Sequence, residues 1–376
     1  MRGDRNLQNP MFFVANTEER LSQDHPLRAI KRQADEVLKV MSRDFQAAYS
    51  ETGRPSIPPE ALLKALLLQA LYSIPSERRL VDAMNWNLLY RWFCDLDPDA
   101  AVWDATVFTK NRERFERHGL VQKFFEGVVA AALVKRYASN DHFTVDGTLI
   151  QSWASLKSFR PKDETAAGPP EGGEGNASVN FRGQKRSNET HRSTTDPEAR
   201  LARKGNSVGA YLCHSGHVLA ENRHGLCLDI CVAGADGHAE RKMAEAMLRR
   251  FRRRHRRQPR TLGADAGYEG GKFLQTVEED LNIQPHVPIS SERVTTPGPE
   301  GDARRRMLRR MKTQAYQLSQ RARKKVEQVF GWLKQPGGLR KVRHVGRWKI
   351  QQVAYLWGAA YNLLRMANLE LRQALA

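Results

Sequence analysis

Three acidic residues stand in three different local settings along the chain. Asp146 sits in the strand-like run Phe143-Thr144-Val145-Asp146-Gly147-Thr148. Asp265 closes the apolar run Thr261-Leu262-Gly263-Ala264-Asp265, just ahead of Ala266-Gly267-Tyr268. Glu327 lies in a helix-like stretch, 323–334. Carboxylates are hard oxygen donors, and a few of them suffice for Mg²⁺, which keeps part of its water shell. Two such ions about 4 Å apart can activate an attacking oxygen and stabilise a leaving one at a phosphate. Two strand-borne acids and one helix-borne acid, if the fold joins their ends, would suit that chemistry. Each acid taken singly has an ordinary explanation. An Asp at a strand end is commonly a turn residue, and a Glu between Arg and Lys on a helix is commonly a surface ion pair.

The charge of the chain supports the first reading. Its 376 residues carry a formal net charge of +19. The cations are clustered: Arg249-Arg250-Phe251-Arg252-Arg253-Arg254-His255-Arg256-Arg257, then Arg304-Arg305-Arg306-Met307-Leu308-Arg309-Arg310, then Arg321-Ala322-Arg323-Lys324-Lys325. Such runs repel themselves unless a polyanion neutralises them, and displaced counterions make a phosphate backbone the natural partner. Arg252, Arg253 and Arg254 are therefore candidate DNA contacts. A membrane partner is disfavoured, because no long apolar anchor accompanies the charge. The apolar run from Ala61 to Leu71 is broken by Lys64 and Gln69 and is too short to span a bilayer. Four cysteines are too few for a disulfide framework in a chain of this length, and the first residues lack an apolar signal core. A cytoplasmic, reduced protein associated with the nucleoid is expected.

The elements that must position the acids fall in two parts. Residues 1–135 read as helices: an amphipathic run from Pro26 to Val40, then Pro58-Pro59 opening a second with Leu62, Leu63, Leu66, Leu67, Ala70 and Leu71 as one stripe. Short helices with tight breaks are compatible with a helix-turn-helix-like DNA-binding or dimerising unit, and equally with an ordinary bundle. Residues 136–376 change character. Phe143 and Val145 alternate with Thr144 and Asp146. Residues 208–214 and 217–221 read as a hairpin around Ser215-Gly216, and 226–232 as a further strand. A helix over 238–257, a strand over 261–265, a helix over 269–281 and a strand over 284–289 follow. The order β, β, β, α, β, α, β, α predicts a mixed α/β sheet with an antiparallel portion. Residues 155–205, with Gly168-Pro169-Pro170 and few apolar residues, read as a flexible insertion in which Arg192, Arg200, Arg203 and Lys204 could touch DNA. On a continuous helix Arg323, Glu327 and Lys334 would share nearly one face, placing cations suited to phosphate beside the acid. Cys213, His214, His217, His224, Cys227 and Cys231 crowd a short span but match no common zinc pattern.

These motifs resemble those of a bacterial insertion-sequence transposase of the DDE class, in the group named after insertion sequence five and related to that of insertion sequence four. The likeness rests on Gly53-Arg54-Pro55-Ser56-Ile57-Pro58-Pro59 with Leu62 to Leu71, on Trp103-Asp104-Ala105-Thr106, on His142 to Thr148, on Asp265-Ala266-Gly267-Tyr268, and on Arg323, Glu327 and Lys334. The last three match a Tyr-Arg-Glu-Lys signature whose tyrosine would fall at Gln320, with Tyr316 one turn earlier. The resemblance implies a ribonuclease H-like catalytic domain after a helical N-terminal domain. Asp146, Asp265 and Glu327 would be the catalytic acids and would hold two Mg²⁺ ions, with Mn²⁺ able to substitute. Arg323 and Lys334 would bind phosphate. The partners would be double-stranded DNA, as terminal inverted repeats and target, and a second copy of the chain. A catalytically silent repressor that binds DNA ends, or a structure-selective nuclease without strand transfer, are the alternatives.

Overall fold

Pro26 and Pro59 each open a helix at its first position, where the missing N–H has no intrahelical partner to lose. The computed structural model describes residues 16–50, 52–53, 55–162, 180–181, 184–203, 209–236, 239–291 and 297–375. Its first part is helical: α1 (Thr17–Arg20), α2 (Pro26–Val40), α3 (Ser42–Ala48), α4 (Pro59–Leu71), α5 (Glu77–Trp86), α6 (Leu88–Phe93), α7 (Thr106–Arg117) and α8 (Leu120–Val134). Ser76 and Asn87 cap α5 and α6, their side-chain oxygens accepting from Arg79 N–H at 3.3 Å and Leu89 N–H at 2.9 Å. The leucine stripe of α4 proves to be more than one face. Ala61, Leu62, Leu63, Lys64, Ala65, Leu67, Leu68 and Ala70 are all buried, because α5, α6 and the last helix enclose it. Lys64 is 1% exposed and survives there by bonding Asp35 at 2.8 Å and Asp95.

The sheet begins with β1 (His142–Ser152). Short strands follow: β2 (Phe159–Pro161), β3 (Asn180–Phe181), β4 (Gln184–Lys185), β5 (His191–Ser193) and β6 (Arg200–Ala202). Then come β7 (Tyr211–Glu221), β8 (Cys227–Gly234), helix α9 (Ala239–His255), β9 (Thr261–Gly263), helix α10 (Gly271–Gln275) and β10 (Gln284–His286). Helices α11 (Pro299–Arg310), α12 (Gln314–Arg323) and α13 (Lys325–Lys334), strand β11 (Lys341–Val342) and helix α14 (Arg347–Leu375) complete the chain. β8 and β7 run antiparallel to their neighbours up to β1, while β9 and β10 run parallel to β1 on its other side. The spatial order β8-β7-β1-β9-β10, with helices joining the parallel members, is compatible with a ribonuclease H-like fold.

Alternation along β1 assigns its two faces. Phe143 points to α9, its ring edge-on to Phe251 at 5.2 Å. Thr144 and Asp146 point the other way, where Thr144 bonds Asn222 and Asp146 meets Arg323 at the end of α12. Helix α14 packs on β8 and on α8, α2 and α4, so the helices and the sheet share one apolar core. No described helix is long and apolar enough to cross a membrane.

Three expectations are corrected. The supposed hairpin around Ser215-Gly216 is one continuous strand, β7. Gly216 serves close approach rather than a turn, since a methyl there would meet Ile150 Cδ1 at 2.8 Å. The hairpin turn lies instead between β7 and β8. Second, the flanks of the 155–205 stretch are built into the fold. β2 pairs with β5, β6 pairs with β7, and Phe159, Ala199 and Leu212 form a small apolar cluster. Buried Asp196 accepts from Ser152 Oγ at 2.8 Å and stands 3.0 Å from His214 Nε2. Strand pairing, polar bonds and only this small apolar cluster hold the region, which is why hydrophobic patterning does not reveal it. Residues 163–179, with the glycine-rich run, and Lys204 lie outside the described residues. Third, the helix over 323–334 is two helices, with Lys324 between α12 and α13.

Candidate active site

The parallel pairing of β1 with β9 sets His142 against Thr261, Phe143 against Leu262 and Thr144 against Gly263. Asp146 and Asp265 each lie two residues past the last pair. They face one another where the two strands part, at carboxyl ends of the kind where α/β sheets bind ligands. Two side-chain ties hold this junction. His142 stands 2.9 Å from Thr261 Oγ1 on β9 and 3.1 Å from Ser319 Oγ on α12. Gln320 donates to the His286 carbonyl at 2.7 Å, with the Ala264 carbonyl at 3.5 Å. Gln320, where the signature would have tyrosine, therefore ties α12 to the ends of β9 and β10 next to Asp265. Tyr316 is packed edge-on against His286.

Asp265 caps the short turn Ala266–Tyr268, its Oδ1 accepting from Gly267 N–H at 2.9 Å. Asp146 Oδ1 accepts from its neighbour Gly147 N–H at 2.8 Å, and its Oδ2 lies 3.8 Å from Arg323 Nη1. Burial raises the Asp146 carboxyl above the ordinary carboxylate range. The charges of Asp265 and Glu327 push the same way, against the Gly147 N–H and Arg323. The structure thus brings Asp146, Asp265 and Glu327 within electrostatic reach of one another. Glu327 is exposed on α13. Arg323 ends the preceding helix, with Lys324 between the two elements. Lys334 ends α13 two turns after Glu327.

A further carboxylate, which the sequence reading passed over, is Glu240 in the first turn of α9. Burial raises its carboxyl, and the charges of Asp265 and Asp146 add to the shift against Arg241. The Tyr268 hydroxyl also belongs to this group. It is buried without a hydrogen-bond partner, and its ionisation is suppressed by burial and by the charges of Glu240, Asp146 and Asp265. In sequence Glu240 is one acid in a basic helix, and nothing in its spacing marks it.

Among the described residues, no three His, Cys, Asp or Glu side chains stand grouped so as to hold a metal ion in their present positions. The donor set nevertheless fits a hard divalent cation. It is all carboxylate oxygen, its members repel one another, and at Asp146 the Gly147 N–H and an arginine contact of 3.8 Å offset that repulsion.

The arginine run lies elsewhere. Arg252 is twelve residues past Glu240 on α9, about 18 Å along the helix axis. Arg252 and Arg253 are exposed, whereas Arg254 pairs with Glu126 on α8 at 2.8 Å. Arg250 of the same run is spent on buried Asp229, at 2.7 and 2.8 Å. A concavity of about 590 Å³ between α4, α5, α7 and α14 is lined by apolar and polar side chains and includes none of Asp146, Glu240, Asp265 and Glu327. On its rim the exposed Trp153 ring is flanked by Lys341 at 4.7 Å and Arg343 at 5.2 Å.

Two family profiles match the chain. One, described as "Transposase domain (DUF772)", spans residues 15–114. The other, described as "Transposase DDE domain", spans residues 189–363 and includes Glu240, Asp265, Arg323, Glu327 and Lys334. The chain belongs to the DDE transposases of insertion sequences. Asp146 lies between the two matched segments. No curated protein and no solved structure matches the chain.

Proposed function

We propose that the chain cuts DNA at the ends of an insertion sequence of the insertion-sequence-five group and joins the freed 3′-hydroxyl to a target, with Asp146, Asp265 and Glu327 as the acids that hold two divalent ions, Mg²⁺ or Mn²⁺. The observation that carries the reading is the β1–β9 register, which sets Asp146 opposite Asp265 while α12 and α13 deliver Arg323 and Glu327. Bound there, divalent ions would lower the pKa of an attacking water and stabilise a departing oxygen.

The chain's own groups do the rest. In cleavage the water oxygen bonds to phosphorus, the bond from phosphorus to the 3′ oxygen breaks, and that oxygen leaves as a hydroxyl. In joining, that hydroxyl attacks a target phosphodiester in the same way. Arg323 would exchange its long contact with Asp146 for a charge-assisted bond to a phosphate oxygen. Exposed Glu327 leaves the site open on the α13 side. Lys334, and the exposed Arg252 and Arg253 at the far end of α9, would meet the backbone further along a duplex. The helical N-terminal part, residues 1–135, would recognise the terminal inverted repeats, and two copies would hold the two ends.

The test is Asp146→Asn, which keeps the shape of the side chain and removes its charge. Cleavage of DNA carrying the element's ends should be abolished and binding of the same DNA retained. Cutting at the wild-type rate would refute the assignment.

A further inference from the structure

The sheet separates Glu240 from Asp146: α9 covers the Phe143 face of β1, and Asp146 points to the other. Two glycines remove that barrier. A methyl at Gly147 would lie 3.2 Å from Glu240 Oε1, and one at Gly267 would lie 3.1 Å from both Glu240 Oε2 and Asp265 Oδ1. The Glu240 and Asp265 oxygens are therefore no further apart than twice that last distance. One Glu240 oxygen lies over the residue that follows Asp146, and the other lies beside Asp265. The carboxylate spans the gap where β1 and β9 part, and a methyl on either glycine would press on its oxygens.

Acids gathered in this way do not by themselves make a site. An independent observation comes from Tyr268, whose ring is 1% exposed and whose hydroxyl has no partner. The charges of Glu240, Asp146 and Asp265 all act on that hydroxyl. An unsatisfied buried hydroxyl is destabilising, so its placement is explained if something polar enters the gap. His217, paired with Gly147 across the strands, leaves its buried Nδ1 unpartnered, 3.2 Å from the point where a Gly147 methyl would sit. Groups that await a ligand therefore line the Glu240 side of the gap.

We propose that Glu240 is a fourth carboxylate of the divalent-cation site, reaching it from the α9 face across Gly147 and Gly267, and that the Tyr268 hydroxyl bonds a water or phosphate oxygen held there. This rests on the reading that Asp146 and Asp265 hold the cation. Glu240 adds a further oxygen donor on the side away from Arg323 and Glu327. Tyr268 is a positioning residue, since it acts through whatever the carboxylates hold.

The experiment uses the full chain and Mn²⁺ as probe, with binding followed by electron paramagnetic resonance and by the Mn²⁺-dependent rise in melting temperature. Five proteins are compared: wild type, Asp146→Asn, Glu240→Gln, Tyr268→Phe and, as a control on the outer part of α9, Glu245→Gln. We expect Asp146→Asn to lose Mn²⁺ binding and Glu240→Gln to weaken it by about 10- to 100-fold, the range found when groups that support a metal are removed. Tyr268→Phe, which removes an oxygen no protein group bonds, should weaken binding by a smaller factor with an unchanged metal-free melting temperature. Glu245→Gln should bind as wild type. If Glu240→Gln and Tyr268→Phe both bind Mn²⁺ as wild type while Asp146→Asn does not, Glu240 is only a buried structural acid and the proposal is overturned, the three-acid reading standing. If Asp146→Asn also binds and cuts as wild type, the three-acid reading fails and the proposal with it.

Discussion

Replacing Gly267 by alanine tests the geometry of the acids without removing one. The new methyl would stand 3.1 Å from Asp265 Oδ1 and 3.1 Å from Glu240 Oε2, so each must retreat by a few tenths of an ångström. Both are ends of flexible side chains, so the folding cost is small, about 0.5–1 kcal/mol. Alanine also narrows the unfolded ensemble, which returns about 0.4–1 kcal/mol where the backbone accepts it. Net stability should therefore change by less than about 1 kcal/mol. Catalysis is less tolerant, since misplacing a reacting group by about 1 Å can cost roughly 100-fold. A displacement of a few tenths, shared by two carboxylates, should lower the cleavage rate about 10-fold or more, equal to about 1.4 kcal/mol of barrier. The assay pairs the initial rate of divalent-ion-dependent cutting of end DNA with urea unfolding of the same preparation. Wild-type cutting at unchanged stability would show that Asp265 and Glu240 do not act from these positions.

Two further outcomes concern stability. Burial holds His286 and His344 down at about 4, against an unfolded value near 6.5. The unfolded chain takes up protons below about 6.5 while the folded chain resists until about 4, so stability should fall as pH drops through that window, by up to roughly 3 kcal/mol per histidine. A urea midpoint unchanged between pH 7.5 and 5 would contradict this. A methyl at Gly337 would collide with the Trp357 ring and stand 2.7 Å from the Leu333 carbonyl, so Gly337→Ala should destabilise the protein by about 2–3 kcal/mol, read as a lower urea midpoint. An unchanged midpoint would mean that the turn after α13 does not approach Trp357 of α14 this closely.

Much of the site was legible from residue type and local pattern. Asp146 could be picked out because the alternation of Phe143 and Val145 with Thr144 and Asp146 predicts which side chains leave the core. Asp265 could be picked out because an apolar run ends at a glycine-assisted turn. Glu240 could not, because a helical period says which face a residue occupies and not which strand end lies under it. The meaning of Gln320 was hidden for a similar reason, since a glutamine is informative only once the His286 and Ala264 carbonyls stand beside it. Gly216 misled, because a glycine that permits the close approach of Ile150 looks the same as a glycine in a turn.

The sequence by itself determined the chemistry available: carboxylates in strand-end and helical settings, a strongly cationic chain, and helical and strand segments in mixed-sheet order. These are local properties, set by side-chain type and by periods of two and 3.6 residues. Tertiary structure alone decided which groups meet. The parallel register of β1 and β9 set Asp146 level with Asp265, the packing of α12 and α13 brought the charges of Arg323 and Glu327 to bear on Asp146, and Gly147 and Gly267 left room beside the Glu240 oxygens. Like charges this close are held together by the core beneath them and not by any attraction of their own, and that core exists only once distant segments have packed.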